Sequence, residues 1–147
     1  MRRRSVVSCP VCGFIARRVY TRYGTRHECC GLWSWNGKPL TDKRTHDARK
    51  AAHEAFDPFW RSGVVSRTQA YTLLAETLQV PIRDCHMALM PAEVAERVPA
   101  AVRKIKTRLT RERNKAAVQA AIEAAMQKEM EKCRTSEVLS PEQVSCA

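Results

Sequence analysis

Four cysteines near the N-terminus carry the clearest chemistry in the sequence. Cys9-Pro10-Val11-Cys12-Gly13 has the spacing of a zinc knuckle. Two residues between the thiolates let one tight turn aim both sulfurs at a single ion, and the glycine relieves the backbone where amides turn toward sulfur. Cys29 and Cys30 follow, with Gly31 directly after them. This is close to the C-x2-C-x15–20-C-x2-C pattern of a zinc ribbon, with the second knuckle compressed to adjacent cysteines. Neighbouring side chains diverge in extended chain, so more than one ligand set fits. Cys9, Cys12, Cys29 and Cys30 make a four-cysteine site; His27 replacing one of the pair makes a three-cysteine, one-histidine site; a histidine on the following helix is a third source. With no acidic general base nearby, the expected ion is a structural Zn2+ in a closed site. The chain has seven cysteines, an odd number without a secretory signal, so a disulfide framework is not expected. Cys85 is read as a packed core thiol.

A second group of chemically capable residues lies at helical spacing. At 100° per residue, His46, Arg49, Lys50, His53 and Asp57 share one face within an arc of about 100°. Asp57 stands four residues after His53, where a carboxylate can orient an imidazole. The segment His53-Glu54-Ala55-Phe56-Asp57 lacks the second histidine of a zinc-protease H-E-x-x-H motif. These histidines are therefore expected to brace the ribbon against the helix by hydrogen bonds, ahead of partner contact or catalysis. No Ser/His/Asp set, phosphate-binding glycine loop or carboxylate cluster accompanies them, and the protein is expected not to be an enzyme.

Charge points to a partner. The 147 residues hold 26 Lys+Arg against 15 Asp+Glu, a net +11 with pI near 9.7. The excess sits at the ends: +7 over residues 1–60, zero over 61–100 and +4 over 101–147. Arg2, Arg3, Arg4, Arg17, Arg18, Arg22 and Arg26 precede the first acidic residue, Glu28, and Tyr20, Tyr23, Trp33 and Trp35 lie among or just beyond them. Cations for phosphate beside aromatics for bases suit single-stranded nucleic acid, although the tryptophans have an equal claim to be ribbon core. Residues 103–115, which include Arg103, Lys104, Lys106, Arg108 and Arg111, carry a net +6. That segment fits a phosphate backbone, a solvated face, or a helix that docks on another protein or pairs with a second copy. No apolar run is long enough to span a membrane, and the expected setting is cytoplasmic.

The elements that must position these residues follow from patterning. Phe14–Thr25 reads as two short strands turning at Tyr23-Gly24, and Gly31–Trp35 as a strand ending at the Asn36-Gly37 turn. A helix is expected over 42–56, capped by Thr41 or Asp42 and ended by Pro58, with Ala48, Ala51, Ala52, Ala55 and Phe59 as its packed stripe. Ser66-Arg67-Thr68-Gln69 is a capping box for a helix over 67–79. A short helix opens at Pro91, and a long one is expected from Pro99 to Cys133. The expected fold is α+β and mainly helical: an N-terminal zinc ribbon of short β-hairpins packed on a small helical bundle, with a long C-terminal amphipathic helix. Its parts are expected at 1–40 (zinc ribbon), 41–98 (helical core), 99–133 (basic helix) and 134–147 (flexible tail).

The segments CPVCG, RHECCGLWSWNGKPLTDKRTHDARKAAHEAFDPFW, SRTQAYTLLAETLQV and CHMALM resemble the small zinc-finger-containing proteins of bacteriophages and prophages over residues 9–97. The resemblance implies zinc at the knuckle cysteines and a phage-infected or lysogenic bacterial cytoplasm. It assigns no reaction, and it leaves the helix beyond residue 98 unexplained. Two functions follow as expectations. One is a non-enzymatic zinc-ribbon protein that binds DNA or RNA through its arginine-rich N-terminal surface and basic helix. The other is a phage accessory protein that docks on a host protein through its C-terminal helix.

Overall fold

The computed structural model of the chain describes residues 6–137. Three strands come first, β1 (Arg17–Thr21), β2 (Gly24–Cys29) and β3 (Leu32–Trp35), in one antiparallel sheet of order β1-β2-β3. Helices α1 (Lys43–Arg61) and α2 (Arg67–Leu78), a 3-10 turn (Ile82–Asp84), α3 (Ala92–Ala95) and α4 (Val98–Glu137) follow. The fold is α+β and mainly helical. It divides into two compact units, Met1–Ile105 and Lys106–Ala147, with the division falling inside α4.

The ribbon departs from the sequence expectation in one respect. The first hairpin turns at Arg22-Tyr23, and its second strand runs from Gly24 to Cys29 rather than ending at Thr25. Thr21 closes that turn: its hydroxyl accepts from the Tyr23 N–H at 3.1 Å and donates to the Gly24 carbonyl at 2.9 Å. Gly24 sits at φ +127°, a conformation that favours glycine, and a Cβ there would come within 3.1 Å of the Asn36 side-chain oxygen. The second strand thus delivers Cys29 to the end of the sheet. At the far end of β3, Asn36 and Gly37 both have positive φ, and Lys38 N–H bonds the Trp35 carbonyl at 3.2 Å, the geometry expected for Asn-Gly. The returning chain pairs Thr41 with Trp33 through two backbone hydrogen bonds of 3.0 and 3.1 Å. Strand alternation puts Thr25, His27 and Cys29 on one face of β2 and Arg26 and Glu28 on the other. The ribbon's core is small: Val7, Cys9, Ala16 and Leu40, with Cys29 and Leu32 packed against them.

Asp42 caps α1, its carboxylate accepting from the Thr45 N–H at 2.9 Å. This helix was expected to end by Pro58 but continues through it to Arg61. Proline removes one hydrogen bond and strains the preceding turn, yet burial of Phe56 and Phe59 on either side holds the helical path. The packed stripe is accordingly Ala48, Ala52, Phe56 and Phe59; Ala51 is exposed and Ala55 only half-buried. The Ser66 and Gln69 capping box opens α2, and Gln79 in the left-handed conformation closes it. Pro91 is the cap of α3 rather than its first residue. The long helix begins one residue before Pro99 and continues past Cys133 to Glu137, so residues 134–137 of the expected tail are helical; 138–147 lie outside the described residues.

Helix α1 packs on α2 and α3, and α2 on the 3-10 turn. Leu74, Leu78, Met87, Met90, Val98, Val102 and Ile105 join Phe56 and Phe59 in burial. Cys85 is buried among this set, and burial pushes its thiol pKa up, as suits a packing residue. Two arginines stitch loops to helices: Arg49 Nε donates to the Met90 carbonyl at 2.8 Å and Arg97 Nη2 to the Leu78 carbonyl at 3.0 Å.

Candidate metal centre and arginine-rich surface

Two turns of different build bring the cysteines together. In the first, Gly13 N–H bonds the Cys9 carbonyl at 2.9 Å and Cys9 N–H bonds the Phe14 carbonyl at 2.8 Å, with Gly13 at φ +75°. In the second, Cys30 and Gly31 take φ +50° and +75° at the end of β2. The left-handed turn at Cys30 resolves the difficulty of adjacent ligands, because it breaks the alternation that would send neighbouring side chains to opposite faces.

The sulfurs of Cys9, Cys12, Cys29 and Cys30 lie within 4.8 Å of one another. Cys12 Sγ is 3.5 Å from Cys29 Sγ, which is 3.8 Å from Cys30 Sγ. Sulfurs held 2.3 Å from a tetrahedral zinc stand about 3.8 Å apart, so the cluster has the size of a Zn2+ site. Its electrostatics agree. The Cys12 backbone N–H directed at the Cys9 sulfur lowers that thiol to about 7, while crowding by Cys12 first, and by burial, pushes Cys29 up to about 12. Cys30 is also raised, again chiefly by Cys12. Four thiols so close resist successive ionisation, and a divalent cation removes that resistance. The donor set and spacing suggest zinc.

His27, the alternative ligand, is not part of the cluster. It is buried on β2, and among the described residues neither ring nitrogen has a hydrogen-bond partner.

The α1 face divides along its length. His46 stacks on Trp33, ring centroids 3.5 Å apart and planes 8° from parallel. Its Nε2 lies 2.8 Å from the Trp33 carbonyl and 2.9 Å from Thr41 Oγ1. His46 therefore braces ribbon to helix, and Arg49 braces the helix to the Met90 loop. His53 and Asp57 stay at the surface, 3.7 Å apart, with Asp57 also 3.7 Å from Arg61 and 3.4 Å from the Trp60 indole nitrogen. The Trp33 contact partner of His46 had no signal in spacing, since it depends on how the ribbon's last strand meets the helix.

The same contacts redistribute the aromatics. The Arg26 guanidinium lies over the Trp33 ring, 5.0 Å from its centroid. An imidazole stacked at 3.5 Å leaves it only the opposite face, so both faces of Trp33 are occupied and the ring has none to offer a base. Trp35 meets Trp33 edge to face and is half-buried. Tyr20 and Tyr23, by contrast, are 77% and 72% exposed at the β1–β2 hairpin. The arginines divide too. Arg17 and Arg26 both pair with Glu28, whose pKa is lowered first by Arg17. Arg18 is exposed on β1 and Arg22 lies over the Tyr23 ring at 4.7 Å; among the described residues neither has an acidic partner. Arg3 and Arg4 lie outside the described residues. On α4, Arg103, Lys104, Lys106, Arg108 and Arg111 are all exposed, Arg108 standing 3.8 Å from Glu112.

A sequence profile described as a zinc-finger-containing domain matches residues 5–107, spanning both knuckles and all the helices of the first unit. The chain belongs to this zinc-finger-containing family. Comparison with curated proteins and with solved structures found no match. Among the described residues, no helix of this family member is long and apolar enough to cross a membrane.

Proposed function

We propose that the protein is a non-enzymatic zinc-ribbon module that binds single-stranded nucleic acid through its β1–β2 hairpin, with the basic stretch of α4 as a second cationic surface. The carrying observation is the hairpin itself, where Arg18, Tyr20, Arg22 and Tyr23 are exposed together and, among the described residues, Arg18 and Arg22 have no acidic partner. Guanidinium groups attract phosphate, and open tyrosine faces stack on unpaired bases of any sequence. The metal's part in this reading is structural: it holds the two knuckles, and with them the ends of the sheet that presents the hairpin. The resemblance of the knuckle and α1 segments to phage zinc-finger proteins supports a phage or prophage setting in the bacterial cytoplasm.

Titrations of labelled single strands and matched duplexes across a salt series test this. Single strands should bind more tightly, with affinity falling log-linearly in salt. Arg18→Ala with Arg22→Ala should flatten that slope by about 1.4, and Tyr20→Ala should weaken binding by about 1–3 kcal/mol with little change of slope. Absence of salt-dependent binding to any nucleic acid would overturn the proposal. The competing reading, docking on a host protein through α4, predicts instead a complex that survives both nuclease and salt.

A further inference from the structure

Among its described residues, the second unit carries an exposed apolar stripe. Among residues 106–135 every side chain is exposed except half-buried Leu109. Val118, Ile122 and Met126 are 60%, 48% and 61% exposed. At 100° per residue, Lys115, Val118, Ile122, Met126 and Glu129 fall within about 80° of arc, one seam along the helix. Their spacings of three, four, four and three are those of helices that pair side by side.

We propose that this seam is covered by a second copy of the chain, running antiparallel and centred on Ile122. The charged ends of the seam select both partner and direction. In an antiparallel pair centred there, Ile122 meets Ile122, Val118 meets Met126, and Lys115 of each copy faces Glu129 of the other. A parallel pair would set Lys115 beside Lys115 and Glu129 beside Glu129, repelling at both ends. Lys115 and Glu129 are fourteen residues apart, about 21 Å of helix, so the two ion pairs flank the three apolar layers. The seam is complementary to its own reverse, the property that a two-fold dimer interface requires. The inference does not rest on the hairpin proposed to bind nucleic acid, and of the basic stretch 103–115 it uses only Lys115.

Sedimentation equilibrium of the full, metal-loaded chain, nuclease-treated and at about 0.15 M salt where screening extends about 8 Å, tests it. A concentration-dependent monomer–dimer equilibrium is expected. Ile122→Glu should raise the dissociation constant at least tenfold, and its exposed position lets the helix form regardless. Lys115→Glu or Glu129→Lys alone should weaken the dimer, and Lys115→Glu combined with Glu129→Lys should restore it. A monomer at every concentration, a dimer indifferent to Ile122→Glu, or a double charge swap that does not rescue either single change would overturn the proposal.

Discussion

The ribbon and the helical part of the first unit reach order by different means. The helical part buries Phe56, Phe59, Leu74, Leu78, Met87, Met90, Val98 and Ile105, enough large side chains to offset chain entropy through apolar burial. The ribbon buries Val7, Ala16 and Leu40 around Cys9, too little apolar surface for a segment of its length. The shortfall falls to the four sulfurs: two of the six residues in that cluster, Cys9 and Cys29, are also the candidate metal ligands. One region is held by packing, the other has a four-cysteine cluster fit for metal in place of a core, and the two meet where His46 stacks on Trp33.

Removing metal should break this comparison open most widely. Structural zinc contributes about 10–16 kcal/mol in isolated finger peptides, so chelation should abolish amide protection across β1–β3 while α1 and α2 keep theirs. Cys9→Ser should do the same without chelator. Persistence of β2 protection in the metal-free protein would show that the ribbon does not depend on coordination. Phe56→Ala probes the other side. It removes a ring that sits 4.7 Å from Tyr71 and 6.3 Å from Phe59, and should cost the helical part about 3–5 kcal/mol. Denaturant unfolding followed at Trp60, with metal content measured in parallel, checks that the loss is confined to the helices.

The joint is the next largest effect. His46→Ala deletes a stacked ring and its hydrogen bonds to Trp33 and Thr41, a loss of about 1–3 kcal/mol. It should also uncouple the regions. Chelation should lower the midpoint of helix unfolding in the parent protein without removing native-state protection of α1 and α2, and should leave that midpoint unchanged in this variant, a difference a double-mutant cycle measures. Equal destabilisation by chelation in both proteins would mean that the coupling runs elsewhere.

The joint also marks where sequence stops being informative. Cysteine spacing alone gave the ribbon, since thiolate chemistry imposes its own local geometry, and the Ser66 and Gln69 cap and the Asn36-Gly37 turn were legible for the same local reason. Contacts between regions were not. Trp33 looked available for stacking because it lies just beyond the arginine-rich stretch that ends at Arg26, yet Arg26 and His46 take both faces, and the exposed rings are Tyr20 and Tyr23, the latter with Arg22 over one face. Pro58 looked like a helix end because local propensity says so, and burial of Phe56 and Phe59, a tertiary effect, overrides it. Cys29 and Cys30 left the ligand set open because adjacency argues for divergence; the positive φ of Cys30, a backbone fact, reverses it.

Acid offers the finest separation of the two regions. With zinc bound, the ribbon's thiolates would lose it as they gain protons, so its order should fail while carboxylates are still ionised. The helical part draws a small further stabilisation from Asp42 and Glu96. Asp42 is lowered from its ordinary 3.8 by bonds from Thr45, and Glu96 from 4.5 by Arg44, which grips it through two bonds of 2.7 and 2.8 Å. Because folding lowers these pKa values, their stabilisation is complete above the ordinary values and is lost as pH falls through the lowered ones. Acid titration should therefore show two steps, the Trp33 and Trp35 environment changing at higher pH than helix content. Arg44→Ala should lower helical stability slightly at neutral pH and converge with the parent once Glu96 is protonated, leaving the ribbon's step where it was. A single coincident transition in both proteins would mean that coordination and packing stabilise one cooperative unit rather than two neighbouring ones.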